Sequence, residues 1–404
     1  MSVGYRFIPV SEVCDLVRGS KQPDPNTRYE LWSVPSFAQG SPEIAVGRDI
    51  GSAKILVMPD DVLVCKINPR INRVWQVERP LENLPQIAST EWVVLRIKDK
   101  QEVLPNWLRI YFAGPTFRDW VISETSGATG SHTRAKPAKI LEQLVPIPPL
   151  PEQKRIVAIL DEAFAGLATA RANAEKNLAN ARELFESYLN LVLTEKGAGW
   201  GEEKLENLTE KITKGSSPKW QGIEYVNQPG VLFITSENVR SNAISLHKKK
   251  YVEDSFNLKD KKSILMKGDV LTNIVGASIG RTAIFNLDEV ANINQAVCLL
   301  RCDENRLHNK YLAYLLNSPF FRQILHDNEI DNARANLSLG FFAGLTIPIP
   351  EVAEQIAIVE KADLLASETK RLEAIYQLKL NNLAELKQAI LQKAFSGELI
   401  QKAA

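Results

Sequence analysis

Ile147-Pro148-Pro149-Leu150-Pro151-Glu152-Gln153 leads into a long charged segment without a proline, and Ile347-Pro348-Ile349-Pro350 with Glu354-Gln355 does the same near the end of the chain. The two openings stand about two hundred residues apart, well beyond the roughly 20–50 residues of a solenoid unit. The period is that of a duplicated module, a globular part plus a helix, arranged A–B–A′–B′. Such a chain has pseudo-two-fold symmetry, and two-fold proteins suit targets with two separated half-sites.

Each opening sets a helix start. The prolines precede it and Glu152 falls in the first turn. In the first segment Leu160, Phe164, Leu167, Arg171, Ala174, Leu178, Ala181, Phe185, Tyr188 and Val192 step by four and three. The second, about 353–395, repeats the spacing with Ile358, Ala362, Leu365, Thr369, Leu372, Tyr376, Lys379, Leu383, Leu386 and Ile390. A stripe held that long is a coiled-coil seam. Arg171, Thr369 and Lys379 are its polar members, expected to fix register at some cost in stability. Each helix is about forty residues, roughly 60 Å at ~1.5 Å per residue. Alone, neither has anything to bury its seam against, so the two are expected to pair. The symmetry makes the pair antiparallel, with a globular part at each end and the C-terminus near the N-terminus.

The expected fold is α+β: two mixed α/β domains joined by a pair of long antiparallel coiled-coil helices. Domain 1 spans 1–150, helix 1 spans 151–198, domain 2 spans 199–350 and helix 2 spans 351–404. In the first domain Tyr5–Val10, Lys54–Met58, Val62–Cys65 and Trp92–Arg96 read as strands, and Trp107–Phe112 and Phe117–Trp120 as short helices. Ile264–Leu271, Ala296–Arg301, Tyr311-Leu312 and Phe320–Arg322 echo them in the second.

The chain of 404 residues is too long for one ordinary core. No run of eighteen apolar residues appears, so no membrane span is expected, and Met1–Arg6 lacks a signal peptide's apolar core. The expected location is cytoplasmic, and four cysteines agree with a reducing compartment. Cys298 and Cys302 share one face of a strand; with His308 nearby they make a poor zinc set and are expected to be buried and structural. The net charge of +1 is low for a lone nucleic-acid binder. Positive charge must then be local, or shared with a partner.

Little in the chain points to catalysis. Gly276–Thr282 is one residue short of a P-loop, with Arg281 in place of lysine, and fits a tight strand–turn–strand. Pro59-Asp60 with Cys65-Lys66 mimics a nuclease signature, but Val64 stands where a second carboxylate is needed. Ile147 replaces the polar residue that an amino-methyltransferase loop requires. What remains are polar and basic loops at matching places in the two halves. Lys66, Asn68, Arg70 and Arg73 interleave with Trp75. Ser131, His132, Thr133, Arg134 and Lys136 form a second cluster. Lys214-Gly215-Ser216-Ser217-Pro218-Lys219-Trp220 is a basic loop, and Asn273, Ser278 and Arg281 line the glycine turn. Arg and Asn read guanine and adenine edges by paired hydrogen bonds. Lys248–Lys250 and Lys261-Lys262 can neutralise phosphates. The candidate DNA contacts are Lys66, Asn68, Arg70, Arg73, His132, Arg134, Lys214, Ser216, Ser217, Lys219, Asn273, Ser278 and Arg281. No metal or cofactor is expected on the chain.

The chain resembles the specificity subunit of type I restriction–modification systems over nearly its whole length. The features that carry the likeness are Pro148–Val157, Ile347–Pro350 with Glu354–Ile356, Lys214–Pro218, Ile234–Val239, Gly268–Leu271, Ile50–Lys54 and Lys66–Arg70. The second opening departs at Pro350-Glu351-Val352-Ala353, and the first half shows no Lys-Gly-Ser-Ser-Pro loop. The resemblance implies that each globular part is a target recognition domain for one half of a bipartite double-stranded DNA sequence. The helices would set the gap and dock two modification subunits. Those would carry S-adenosylmethionine and methylate adenine, and restriction subunits would add ATP- and Mg2+-dependent translocation and cleavage. This chain would do none of that chemistry. The competing reading is a coiled-coil adaptor with two protein-binding heads and no DNA contact.

Overall fold

The computed structural model describes residues 5–80, 82–125, 133–194, 197, 199–227, 230–329 and 335–399. The chain divides into two compact units, Met1–Ala174 with Leu378–Ala404, and Glu175–Gln377. Two helices of 45 residues, α1 (Leu150–Thr194) and α2 (Val352–Ser396), each contribute to both units.

The first unit is built on an antiparallel sheet of β1 (Cys14–Leu16), β2 (Val62–Cys65), β3 (Val74–Gln76) and β4 (Trp92–Ile97), in the order β1-β4-β2-β3. Every residue of Val62-Leu63-Val64-Cys65 is buried, because the sheet separates two cores. Alternation along a strand sends Val62, Val64, Val93 and Leu95 into one, and Leu63, Cys65, Trp92 and Val94 into the other. The first core takes Trp107, Leu108 and Phe112 of the short helix Pro105–Ala113 and Phe117 of Pro115–Ser123. It also takes Ile156 and Leu160 of α1, and Leu391 and Ala394 of α2. A fully buried Leu or Ile side chain contributes about 1.5–3 kcal/mol, and Ile156, Leu160 and Leu391 are such anchors of the helices on the sheet. The second core lies under a five-stranded sheet that contains Arg28–Trp32 and Gln86–Ser89 as a parallel pair.

The second unit repeats the plan. β5 (Thr209–Lys214), β6 (Val270–Asn273), β7 (Thr282–Ile284) and β8 (Val297–Cys302) lie in the order β5-β8-β6-β7. Val270, Cys298, Leu300 and Cys302 face a core with Tyr311, Leu312, Leu189 of α1 and Val359 and Ala362 of α2. Leu271, Val297 and Leu299 face the other. Cys298 and Cys302 thus share the buried face that their spacing predicts, and all four cysteines are free and buried. The further sheet has four strands, and again holds one parallel pair, Val231–Ile234 with Ala291–Ile293.

Gln153 and Gln355 explain the two proline-rich openings. Gln153 is fully buried. Its Oε1 accepts from Leu104 N at 2.9 Å, and its Nε2 donates to Glu102 O and Pro148 O at 2.8 Å. Gln355 accepts from His308 N at 2.8 Å and donates to Arg306 O and Pro350 O at 2.9 Å. Each glutamine fastens the start of a long helix to the loop ahead of a short one. Nearby, Trp107 Nε1 donates to Pro146 O at 2.8 Å, and the Tyr311 hydroxyl donates to Pro348 O at 3.0 Å.

Within the first unit the start of α1 meets the end of α2, where the Lys387 ammonium lies 5.0 Å from the Phe164 ring centre. Within the second, the end of α1 meets the start of α2: Arg182 pairs with Glu373 at 2.8 Å and Lys361 covers Tyr188. The helices are antiparallel in both units. Leu160, Ala174, Ala181 and Ala362 are buried along the expected seam. Some seam residues depart from it. Leu386 is exposed, and burial near the end of α2 passes to Leu391 and Ala394. Arg171 and Lys379 are exposed. Thr369 is buried, but its hydroxyl has no hydrogen-bond partner, so it cannot set register through a hydrogen bond. Residues 394–397 lie against Tyr5; residues 1–4 and 400–404 lie outside the described residues. The Tyr5 hydroxyl donates to Ala394 O at 2.9 Å, and Gly397, in the left-handed region at φ 82°, faces the Tyr5 ring. No helix among the described residues is long and apolar enough to cross a membrane.

Candidate nucleic-acid interface

The β2–β3 turn of the first unit gathers most of the polar residues singled out there. Asn68 and Asn72, both at φ 48°, flank the single turn Pro69–Ile71. Asparagine tolerates this left-handed conformation better than other non-glycine residues. Asn72 Nδ2 donates to Phe112 O at 2.9 Å and ties the turn to the helical layer. Residues 133–135 run alongside, through Asn68 N to Thr133 O and Ala135 N to Lys66 O. Lys66, Asn68, Arg70 and Arg134 are therefore brought together. Arg70 is exposed, and Arg134 pairs with Glu91 at 3.2 Å. Arg73 is half-buried, with one guanidinium nitrogen enclosed and unpaired. His132 lies outside the described residues.

The β6–β7 turn of the second unit is its counterpart. Gly276 N donates to Ala335 O and Leu337 N to Ile274 O, as 133–135 do beside 66–68. Gly276 and Gly280 take positive φ where the first unit uses asparagines. The segment is the tight strand–turn–strand that its sequence suggests. Ser278 and Arg281 stand half-buried on it. Asn273 requires a correction. It is 0 % exposed, and its Nδ2 donates to Ser236 O at 3.0 Å and Val239 O at 3.3 Å. Its amide braces the neighbouring chain and is not presented to a ligand.

Lys214 ends β5, and the loop after it carries Ser216, Ser217 and Lys219. Both lysines are exposed. Gly215 is required there, since a Cβ would lie 1.7 Å from Ile293 O. Ser216 is a brace: its hydroxyl donates to Asp260 at 2.6 Å and accepts from Gln221 Nε2 at 2.5 Å. Of the lysine run 248–250, Lys249 pairs with Glu289 and Lys250 with Glu237; exposed pairs of this kind are weak.

Register reveals a match that sequence comparison missed. Arg96 pairs with Asp15 in the first unit as Arg301 pairs with Lys211 in the second. Counting forward, Arg18-Gly19-Ser20 stands where Lys214-Gly215-Ser216 stands. The first half thus has a basic loop at this place, spelled differently. Two ion pairs on buried carboxylates were also missed. Arg96 grips Asp61 through two bonds, at 2.8 and 2.6 Å, and Arg301 grips Asp269 at 2.7 and 2.8 Å. Asp61 and Asp269 also accept from the backbone N–H groups of Met58 and Met266. The signal was present: Asp61-Val62-Leu63 and Asp269-Val270-Leu271 share three letters, and both partner strands carry arginine at their fifth residue.

The four cysteines are not reactive thiols. Burial pushes the thiols of Cys14 and Cys302 up to about 12, and raises those of Cys65 and Cys298. Neutral buried thiols neither attack nor ligate. Asp60, the acid of the nuclease-like pattern, is engaged by Lys100 and Gln76. Among the described residues no group of three His, Cys, Asp or Glu side chains could hold a metal ion.

Each unit thus carries a braced polar turn and a basic loop on a four-stranded sheet, with parts of both long helices packed in its core. Residues 198–380 match the family model described as "Type I restriction modification DNA specificity domain". The EcoBI specificity subunit of Escherichia coli is 26% identical over 85% of this chain and 74% of its own. The MjaVIII specificity subunit of Methanocaldococcus jannaschii is 22% identical over 77% and 73%. Among solved structures, the HsdS subunit from Thermoanaerobacter tengcongensis aligns with TM-score 0.66 at 22% identity, covering 98% of this chain and 97% of that one. A chain of a type I R-M system, from work on its complex assembly and conformational transition, aligns with TM-score 0.81 at 22% identity over 98% of both. Residues 198–380 thus match this family's domain, and over most of its length the chain is similar to specificity subunits of type I restriction–modification systems.

Proposed function

We propose that this chain is the non-catalytic DNA-recognition subunit of a type I restriction–modification complex. Each sheet domain reads one half of a bipartite target through its turn and its basic loop. The long helices set the gap between the halves and receive the modification subunits. Methyl transfer with S-adenosylmethionine, and ATP- and Mg2+-dependent cleavage, are the work of partner subunits. The observation that carries this reading is duplication with local divergence. The Asp–Arg pair, the helix-fastening glutamine and the four-strand order recur in both units, while the turns and further sheets differ. A frame used twice with different faces suits two readings of different sequence. Phosphate contacts shared with partners account for a net charge of only +1. The adaptor reading finds no support among the relatives.

The test is spacing. Half-site centres near one helical turn apart, ~34–36 Å, are expected for two readers on one face of the duplex. Adding one base pair to the gap of the mapped target should weaken binding by the full chain at least about ten-fold, on the scale of one or two lost base contacts. Equal affinity for both spacings would remove the ruler. Binding with no log–log dependence on salt would remove DNA recognition altogether.

A further inference from the structure

Two segments of the second unit that look unrelated in sequence form one surface. Ser216 donates to Asp260, and the Lys259 ammonium donates to Gln221 O at 2.7 Å. These bonds join the loop 214–222 to the short helix Ser255–Lys259 and to the Lys261–Ser263 turn that follows it. The loop is itself held. Gln221 N and Ile223 N both donate to Pro218 O, and Gly222 closes the turn Lys219–Gln221 in the left-handed region. At its tip Trp220 is 84% exposed, and on the joined helix Leu258 is 73% exposed. Tyr225, also exposed, rests on Phe233, which packs on Phe256 of the same helix. Exposed Lys219, Lys259, Lys261 and Lys262 accompany these side chains. The acids Glu253 and Asp254 stand at the opposite end of the helix, and Asp260 is buried under Ser216.

A large indole kept in water on a braced turn is an anchor with little left to lose in ordering. Apolar patches of this kind mark interaction sites, and their partner is read from the surroundings. Four lysines beside the patch fit a polyanion whose phosphates flank a surface offering thymine methyls and base faces to an apolar side chain, which describes a groove of duplex DNA. Proteins seat apolar side chains against base edges or between base steps while cations hold the backbone.

We propose that Trp220 makes the apolar contact of the second recognition domain with its DNA half-site, its indole seated in the groove while Lys219, Lys259, Lys261 and Lys262 hold flanking phosphates. The proposal rests on the DNA-recognition reading above. To test it, the full chain with its co-expressed modification subunits first selects its target from a random-sequence duplex pool. Wild type, Trp220→Ala, Trp220→Phe and Lys219→Ala are then titrated with that labelled duplex at several salt concentrations. Trp220→Ala should weaken binding about ten-fold or more with the salt slope unchanged, since an indole carries no charge, and Trp220→Phe should keep most of the affinity. Lys219→Ala should lower the slope by about one. Thermal unfolding of Trp220→Ala should match wild type, because so exposed a side chain supports little structure. Binding by Trp220→Ala within two-fold of wild type overturns the proposal and leaves DNA recognition standing. Loss of the modification subunits from Trp220→Ala, with DNA affinity unchanged, also overturns it and assigns the indole to a protein interface. If wild type selects no sequence and shows no salt dependence, both readings fall.

Discussion

The two sheet domains agree where they are anchored and differ where they are free. Both have the same four-strand order, the same buried Asp–Arg pair, the same parallel pair in the further sheet and the same glutamine at the helix start. They part company at the turn, where the first unit uses Asn68 and Asn72 and the second Gly276 and Gly280. The further sheets differ too, five strands against four. A buried ion pair tolerates little substitution, because removing one partner strands a charge out of water. A solvated turn needs only some residue that accepts its backbone angles. The duplicated frame is thus held by physics that a changing face need not satisfy.

This comparison can be broken most severely at the ion pairs. Arg96→Ala and Arg301→Ala, which leave a carboxylate only 1% exposed without its cation, should each destabilise their unit by about 3–5 kcal/mol. The Arg301 side chain is 17% exposed against 34% for Arg96, so the second unit should lose more. Hydrogen exchange resolved by unit measures both losses, and the reverse order would mean the two pairs are not equivalent.

The glutamines come next. Gln153→Ala and Gln355→Ala each leave one N–H and two carbonyl groups without their partner, for a loss of about 2–4 kcal/mol. The two losses should agree within about 1 kcal/mol in chemical denaturation. A large disparity would show that one helix is fastened by something else. The smallest effect sharpens a contrast between the helices. Thr369 lies fourteen residues beyond Gln355, and Leu167 lies fourteen beyond Gln153. The leucine is at ease in an apolar seam, whereas the Thr369 hydroxyl is enclosed without a partner. Thr369→Val keeps the shape, removes the hydroxyl and should stabilise the second unit by about 1 kcal/mol, read as a raised midpoint.

Sequence alone carried the periodic parts of this architecture. The seams gave both long helices, and Val62–Cys65 gave a strand because four apolar β-formers in a row leave few other options. It misplaced Asn273, since nothing in its neighbours tells that the amide turns inward to Ser236 and Val239. It also left Lys214–Lys219 and Lys261-Lys262 as separate basic stretches. They are joined by the Ser216–Asp260 bond, across a sequence distance of 44, and local spacing is silent about contacts that long. Arg18-Gly19-Ser20 escaped notice for another reason: strand register aligns it with Lys214-Gly215-Ser216, and register is set by a partner strand.

The first unit is completed by residues far apart in sequence, since Leu391 and Ala394 fill the core that also holds Trp107 and Ile156, and Tyr5 reaches Ala394 and Gly397. The second unit is one uninterrupted stretch, Glu175–Gln377. During synthesis the order of maturation is therefore inverted. The domain of lower residue number emerges from the ribosome first, yet part of its apolar floor stays uncovered until Leu391 and Ala394 have been made.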